Sequence, residues 1–456
     1  MTTATEAAVP GPSHQLSRTL LPRHITMITI GGVIGAGLFV GSSATIAAAG
    51  PAALVSYLLA GSIVFVVMRM LGEMALTHPH IRSFSEFSRE GLGSAGGFIA
   101  GWLYWYFWIV VVPVEAIAGA QILQQWFALP VWQIGLVLMA VMTAVNLLSA
   151  RSYGEFEFWF SSIKVFAIIA FILVSAAYAF GFIAPHGPTW SNITAFGGFA
   201  PKGWAPVLGA VTTVFFSMVG PEITTVAAAE SKDPEKAVVR MATSISWRIL
   251  AFYVVSLFLI VSVVAWPQVK VGESPFTLAL NTMGFGWSSA VMSFIILTAV
   301  LSCLNSAVYV CSRVLHVLAD RGDAPRWLVE VNARRVPARS ILLGSVAGVI
   351  GVVCAILSPQ GVFAFLISTS GTVILFVYLM TAVSQIRLRR RHPETETKPV
   401  RVWLFPWLSY ATIGAMVGVV VAMGLTPSLA SQLYFSLLTL AVAVGAYFAF
   451  GRRRTN

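Results

Sequence analysis

The chain has 456 residues, 57% of them hydrophobic and only 10% charged. Soluble domains carry about 25% charged residues, so this composition excludes a water-solvated globule and calls for lipid as the solvent. The formal net charge of +11 raises nucleic acid as a partner, and the placement of the charges along the chain excludes it.

The N-terminal tail, 1–23, opens MetThrThrAlaThrGluAla and stays polar to about residue 20. It lacks a charged n-region and a cleavage site, so no signal peptide is expected and the first span serves as its own anchor. Apolar stretches follow at about 24–49, 51–76, 97–125, 130–149, 160–184, 205–229, 245–267, 287–316, 340–357, 361–386, 403–425 and 430–450. Most reach the ~20 residues that a membrane helix needs. They predict an all-α polytopic membrane protein with twelve transmembrane helices. Of the 28 Lys and Arg, 25 fall in the N-terminal tail, the even-numbered loops and the adjoining helix ends, from Arg18 and Arg23 to Arg452, Arg453 and Arg454. Lys202 and Lys270 lie on the opposite side, and Lys164 lies inside the fifth span. The positive-inside rule then puts both termini in the cytoplasm, with the chain in the inner membrane. The basicity is an orientation signal rather than a nucleic-acid patch.

Two spans are broken by glycine and proline. The first reads ThrIleGlyGlyValIleGlyAlaGlyLeuPheValGly across Thr29 to Gly41, and the sixth reads PhePheSerMetValGlyProGluIle across Phe215 to Ile223. Hydrocarbon cannot satisfy the backbone groups that such breaks free, so they survive only where they are buried or line a cavity. Interrupted spans in corresponding positions of two halves point to a transporter's substrate site. The first enters from the cytoplasm and the sixth from outside, which predicts two inverted five-helix repeats. The organisation expected is a ten-helix core over 24–386 (repeats 24–184 and 205–386), a basic loop 387–402, two peripheral helices over 403–450 and a tail 451–456.

Five segments in order carry a family resemblance: GGVIGAGLFVGSS (Gly31–Ser43), GEFEFWFSSIKV (Gly154–Val165), AAAESKDPEKA (Ala227–Ala237), SCLNSAVY (Ser302–Tyr309) and RGDAPRW (Arg321–Trp327). The chain resembles bacterial amino-acid permeases of the amino acid–polyamine–organocation superfamily over nearly its whole length. GWLYWYFWIVVVPVEA (Gly101–Ala116), Cys303 and RVWLFPWL (Arg401–Leu408) make it similar to the 4-aminobutyrate permeases within that superfamily. The resemblance implies a proton-coupled symporter that imports a small zwitterion. Permeases for proline or aromatic amino acids share most of these motifs, and an exchanger remains an alternative, as does a membrane sensor or channel.

Unwinding at Gly35, Ala36 and Gly37 would leave the N-terminus of a half-helix aimed inward, with free N–H groups suited to a carboxylate. Val33 flanks this break. By resemblance the family holds its substrate's carboxylate here; the alternative is a small-residue packing face. At the second break Pro221 would free the carbonyls of Phe216 and Val219 beside Gly220, and a substrate ammonium needs such acceptors. Phe216 resembles the family's aromatic gate. Glu222 either favours the next half-helix's dipole or handles protons and gates.

Lys164 is an ion inside a span, a functional candidate by default. Desolvation would let it shed and regain a proton during transport. Sodium-independent relatives place a lysine where sodium sits in their cousins; the alternative is snorkelling to the inner surface. Glu115, after Pro113, would read the amine, relay a proton or pair with a buried group. Tyr104, Trp105 and Trp108 line the cavity or pack. Ser302, Cys303 and Asn305 face the core as small polar groups. Arg69 and Glu73 are expected to pair at i,i+4. Glu155, Glu157 and Glu230 are expected as rim charges beside Arg151 and Lys232, and His24, His78 and His80 as surface residues. No metal-ligand spacing, disulfide framework or phosphate-cradling loop appears, so no metal, cofactor or enzymatic activity is expected. The partners expected are a small amino acid, protons and the bilayer.

Overall fold

The computed structural model describes residues 20–78, 81, 84–148, 150–183, 189–228, 234–286, 288–392 and 400–451. The tail 1–19, His80, Glu230, Lys232, residues 393–399 of the basic loop and residues 452–456 lie outside the described residues. The regular structure is helical: α1 (Pro22–Gly31), α2 (Ala36–Phe39), α3 (Ser42–Ala49), α4 (Ala53–Thr77), α5 (Phe84–Leu123), α6 (Val131–Leu148), α7 (Ala150–Ala179), α8 (Ala205–Met218), α9 (Ile223–Ala228), α10 (Pro234–Arg240), α11 (Ser246–Val263), α12 (Pro275–Thr282), α13 (Ser288–Asp320), α14 (Ala338–Cys354), α15 (Pro359–Arg391), α16 (Trp407–Leu425) and α17 (Pro427–Ala446). Ten helical stretches among the described residues are long and apolar enough to cross a membrane, and two shorter apolar ones are Arg23–Phe39 and Ala338–Cys354.

The first apolar stretch is three helices because its glycines let the backbone leave the helix twice. α1 ends at Gly31, with the Gly32 N–H bonded to the Ile28 carbonyl at 2.9 Å. Gly35 then turns extended before α2 begins. The sixth stretch breaks after Met218, where Val219 is extended (ψ 143°) and Gly220 takes φ +137°. A side chain is strained at that φ, and Pro221 cannot donate the next helical bond.

α5 packs against α13 and α15 at the centre, α1 lies on α7, and α4 lies on α8 and α11. α16 and α17 pack outside, against α15, α8 and α5. The outer helices keep large apolar side chains exposed, such as Phe166, Leu173 and Val442, as lipid-facing surfaces require.

Arg69 and Glu73 attract each other but share no hydrogen bond or close ion pair. Glu73 accepts from Gln385 at 2.7 Å, the Val402 N–H at 2.6 Å and Arg389 at 3.0 Å. Arg69 donates to the Arg401 carbonyl at 2.7 Å and stacks over Trp403. The long side chains reach segment 400–403, which packs across α4, and nearer tertiary partners replace the local one. The histidine expectation also fails: His24 is fully buried and His78 nearly so. Gly154 makes room for His24 between α1 and α7, since a Cβ there would lie 2.9 Å from its Nδ1. The imidazole Nε2 reaches Glu155 at 3.1 Å.

Candidate substrate and coupling site

The two breaks meet. A Cβ on Gly220 would lie 2.9 Å from Val33 Cγ2 and 3.0 Å from the Gly32 carbonyl oxygen. A Cβ on Gly37 would lie 2.8 Å from Ser217 Cα, and Ser217 Oγ donates to the Gly37 carbonyl at 3.0 Å. The glycines are therefore spent on close approach of backbone to backbone.

A small cavity of about 10 Å³ sits at this junction, with Val33, Gly37, Glu115, Phe216, Val219 and Cys303 in its wall. That volume holds about one water molecule. Phe107 and Trp108 from α5, together with Phe216, form an aromatic cover, the rings of Phe107 and Phe216 lying 6.1 Å apart. Among the expected site residues, Gly35, Ala36, Gly220, Lys164 and Glu222 are not in its wall. Of the three aromatic candidates on α5, Trp108 lines the cavity, Tyr104 turns to Glu222 and Trp105 points elsewhere.

Glu115 has the partner that sequence could not name. Its carboxylate accepts the Ala36 N–H, at 3.2 and 3.1 Å to its two oxygens. This is the first free donor at the start of α2 and faces the positive end of the helix. Gly35 is needed here because a Cβ would come 2.7 Å from Glu115 Oε1 and 2.8 Å from Cys303 Cβ. Cys303 donates its S–H to the Gly32 carbonyl at 3.6 Å. The N–H groups of Gly35 and Gly37 have no hydrogen-bond acceptor among the described residues. At the second break no donor among the described residues reaches the carbonyls of Phe216 and Val219. One break thus offers donors and the other acceptors.

Glu222 is fully buried and held by three donors: the Gly220 N–H at 3.1 Å, Tyr378 at 3.2 Å and Tyr104 at 3.4 Å. It caps the break itself, just ahead of α9.

Lys164 does not snorkel. It is fully buried, and Nζ donates to the Gly31 carbonyl at 2.5 Å, at the end of α1. Burying an ion costs several kcal/mol, whereas one hydrogen bond to a charged group returns about 1.5–3 kcal/mol. The bond alone cannot hold the ammonium there. The buried carboxylates of this region are Glu157 and Glu115.

Glu157 is the clearest miss. It was expected as a solvated rim charge, yet it is fully buried. Oε1 accepts from Ser302 at 2.5 Å and from Ser161 at 2.9 Å. Helix α7 begins at Ala150, ten residues before the apolar stretch suggests, so Glu157 lies two turns below Lys164 on the inward face. Its spacing at i, i+7 was the available signal. Glu155 stays partly exposed, as a rim charge would, but its partners are Arg23 at 2.9 Å and His24 at 3.1 Å rather than Arg151. Tyr253 on α11 was also missed: its hydroxyl lies 3.0 Å from the Val33 carbonyl and 2.6 Å from that of Ser217. Ser302 serves Glu157, and Asn305 accepts from Asn146 at 2.8 Å.

Comparison with protein families matches residues 24–455 to the family described as amino acid permease. The gamma-aminobutyric acid permease of Bacillus subtilis is 44% identical over 445 residues, covering 97% of this chain and 95% of that protein. The Escherichia coli gamma-aminobutyric acid permease is 44% identical over 425 residues, 91% of this chain and 90% of that one. The aromatic amino acid transport protein AroP of Corynebacterium glutamicum is 37% identical over 427 residues, 92% of each. Among solved structures, a mutant of the Eremococcus coleocola manganese transporter superposes with TM-score 0.59 at 13% identity, covering 99% of this chain and 98% of that one. That likeness is one of fold.

Proposed function

Because the chain belongs to the amino acid permease family, we propose that it is a proton-coupled symporter importing 4-aminobutyrate across the cytoplasmic membrane by alternating access. It is a permease, not an enzyme. In this reading twelve spans cross the bilayer, the ten long helical stretches and the two shorter ones, with both termini in the cytoplasm. Residues 24–184 and 205–386 are the inverted repeats, and 403–450 form the peripheral pair. The observation that carries the reading is the meeting of unpaired N–H groups and unpaired carbonyls at one aromatic-covered cavity. Relatives named for gamma-aminobutyric acid favour that substrate.

The substrate carboxylate would take the N–H groups of Gly35 and Gly37, and its ammonium the carbonyls of Phe216 and Val219. Opening of the Phe107–Phe216 cover would admit it. Glu115 already occupies the Ala36 N–H, so a second carboxylate arriving there is repelled. Two like charges about 4 Å apart cost roughly 4 kcal/mol at an effective dielectric of about 20, close to a thousandfold in affinity. A proton on Glu115 removes that penalty, and substrate and proton therefore enter together. Lys164 would receive the proton while holding the end of α1.

The test is uptake of radiolabelled 4-aminobutyrate into proteoliposomes. An inward proton gradient should drive accumulation, and replacing sodium by choline should leave it unchanged. A sodium requirement, or a competition series in which proline or phenylalanine displaces the label while 4-aminobutyrate is inert, would overturn the proposal.

A further inference from the structure

We infer that Glu157 is the group that takes the proton from Lys164 and passes it toward the cytoplasm. The inference rests on the coupling role proposed for Lys164.

Three observations place Glu157 in that position. First, Glu157 and Lys164 are both fully buried and flank one glycine: Lys164 Nζ donates to the Gly31 carbonyl, and a Cβ on Gly31 would overlap Glu157 Oε1. Second, only one oxygen of Glu157 is spent. Oε1 accepts from Ser161 and Ser302, while Oε2 has no hydrogen-bond partner among the described residues. A buried carboxylate oxygen left unpaired costs about 1–3 kcal/mol or more, and evolution rarely leaves such an atom without a use. Third, polar groups continue away from the cavity. Ser306, one turn along α13 from Ser302, bonds to the Tyr153 hydroxyl at 2.9 Å, and Tyr153 stacks on Tyr309, over which Arg313 lies.

The groups facing the pair complete the setting. Cys303 comes from α13 and Glu115 from α5. Farther along α1 and α7 stand His24, Arg23 and Glu155. The step balances simply. The N–H bond of the Lys164 ammonium breaks, leaving a neutral amine. Glu157 lies beyond ion-pair distance of Nζ, so the proton crosses through an intervening water and forms an O–H bond on Oε2, leaving a neutral carboxyl that then releases it to cytoplasmic water. Glu115 would load Lys164 from the cavity side, so two carboxyls serve one lysine from opposite ends. Transfer of this kind by a positioned group contributes about 10²–10⁴-fold.

Glu157→Gln keeps the shape and the bonds from Ser161 and Ser302 but cannot take a proton. Two uptake modes separate its roles. Gradient-driven accumulation of 4-aminobutyrate should fall at least tenfold. Counterflow, in which labelled substrate exchanges for unlabelled with no net proton movement, should stay within about twofold. A structural role would lower both modes together, and that result overturns the inference. Full gradient-driven uptake by Glu157→Gln also overturns it. If Lys164→Ala loses accumulation while Glu157→Gln keeps it, the coupling role of Lys164 stands and this inference fails. If neither variant loses accumulation, the coupling reading itself fails. Should Glu157→Gln not yield monodisperse protein, Ser302→Ala removes one of the two donors to Oε1. Slower gradient-driven uptake with normal counterflow then supports the route, and unchanged uptake overturns it.

Discussion

At the scale of single residues, buried charge and missing side chains decide the chemistry. Glu115 stands where a substrate carboxylate would be received, so its charge rather than its shape should control binding. Glu115→Gln can still accept the Ala36 N–H through its amide oxygen. Binding of 4-aminobutyrate by scintillation proximity should then lose most of its dependence on pH, and an unchanged pH profile would remove Glu115 from coupling. Gly37 carries a different lesson. Sequence suggests that Gly37→Val blocks the N–H groups in an otherwise intact protein. The Ser217 backbone 2.8 Å from the position of its Cβ makes the substitution an overpacking change as well, costing about 1–3 kcal/mol. Even Gly37→Ala should lower both binding and the thermal midpoint. Ser217→Gly should not rescue it, because the obstacle is the Cα. Lys164→Arg should lose gradient-driven uptake as fully as Lys164→Ala, since guanidinium keeps its proton and the site is fully buried. Uptake by Lys164→Arg equal to wild type would sink the role.

At the scale of elements, the two broken helices act as one unit through Tyr253. Its hydroxyl has a single hydrogen and two carbonyls within reach, those of Val33 and Ser217. It shares that hydrogen between the two breaks, an arrangement that ends when the breaks separate. Tyr253→Phe removes about 0.5–1.5 kcal/mol of net hydrogen bonding and should shift the balance between outward- and inward-facing forms. Accessibility of Cys303 to a membrane-permeant thiol reagent, compared with wild type, reads that shift; an unchanged labelling rate argues against the toggle. The donor and acceptor ends also set a size rule. A substrate whose carboxylate and amine are separated by a chain can reach both, so ω-amino acids should compete better than α-amino acids of equal length.

At the scale of the whole molecule, polar cross-links between distant segments hold the bundle together. Glu73, nearly fully buried, ties α4 to α15 and to Val402. Removing one partner of a buried ion pair costs about 3–5 kcal/mol. Glu73→Ala should therefore lower the thermal midpoint in detergent clearly, while Arg23→Ala, which breaks an exposed pair with Glu155, should barely move it. Equal shifts would contradict this ranking. Arg89 with Asp323 and Arg321 with Glu86 cross-link α5 to the end of α13 in the same manner.

Much of this was legible without coordinates. Length, apolar stretches and two glycine–proline breaks determined a helical membrane protein and pointed to its broken helices as the candidate site, because hydrocarbon imposes backbone rules that a linear pattern obeys. Motif order was enough to indicate the family. Lys164 stood out because an ion inside an apolar run is conspicuous. Tertiary structure alone decided which groups meet. Glu115 finding Ala36, Glu73 leaving Arg69 for Arg389, and Tyr253 bridging two breaks all join residues dozens to hundreds of positions apart, and no spacing rule encodes such pairs. Glu157 was misplaced for a related reason. It follows Arg151, Ser152 and Glu155 at the polar edge of the fifth span, and only the extension of α7 and the packing of α1 and α13 over it turn a rim charge into a buried one.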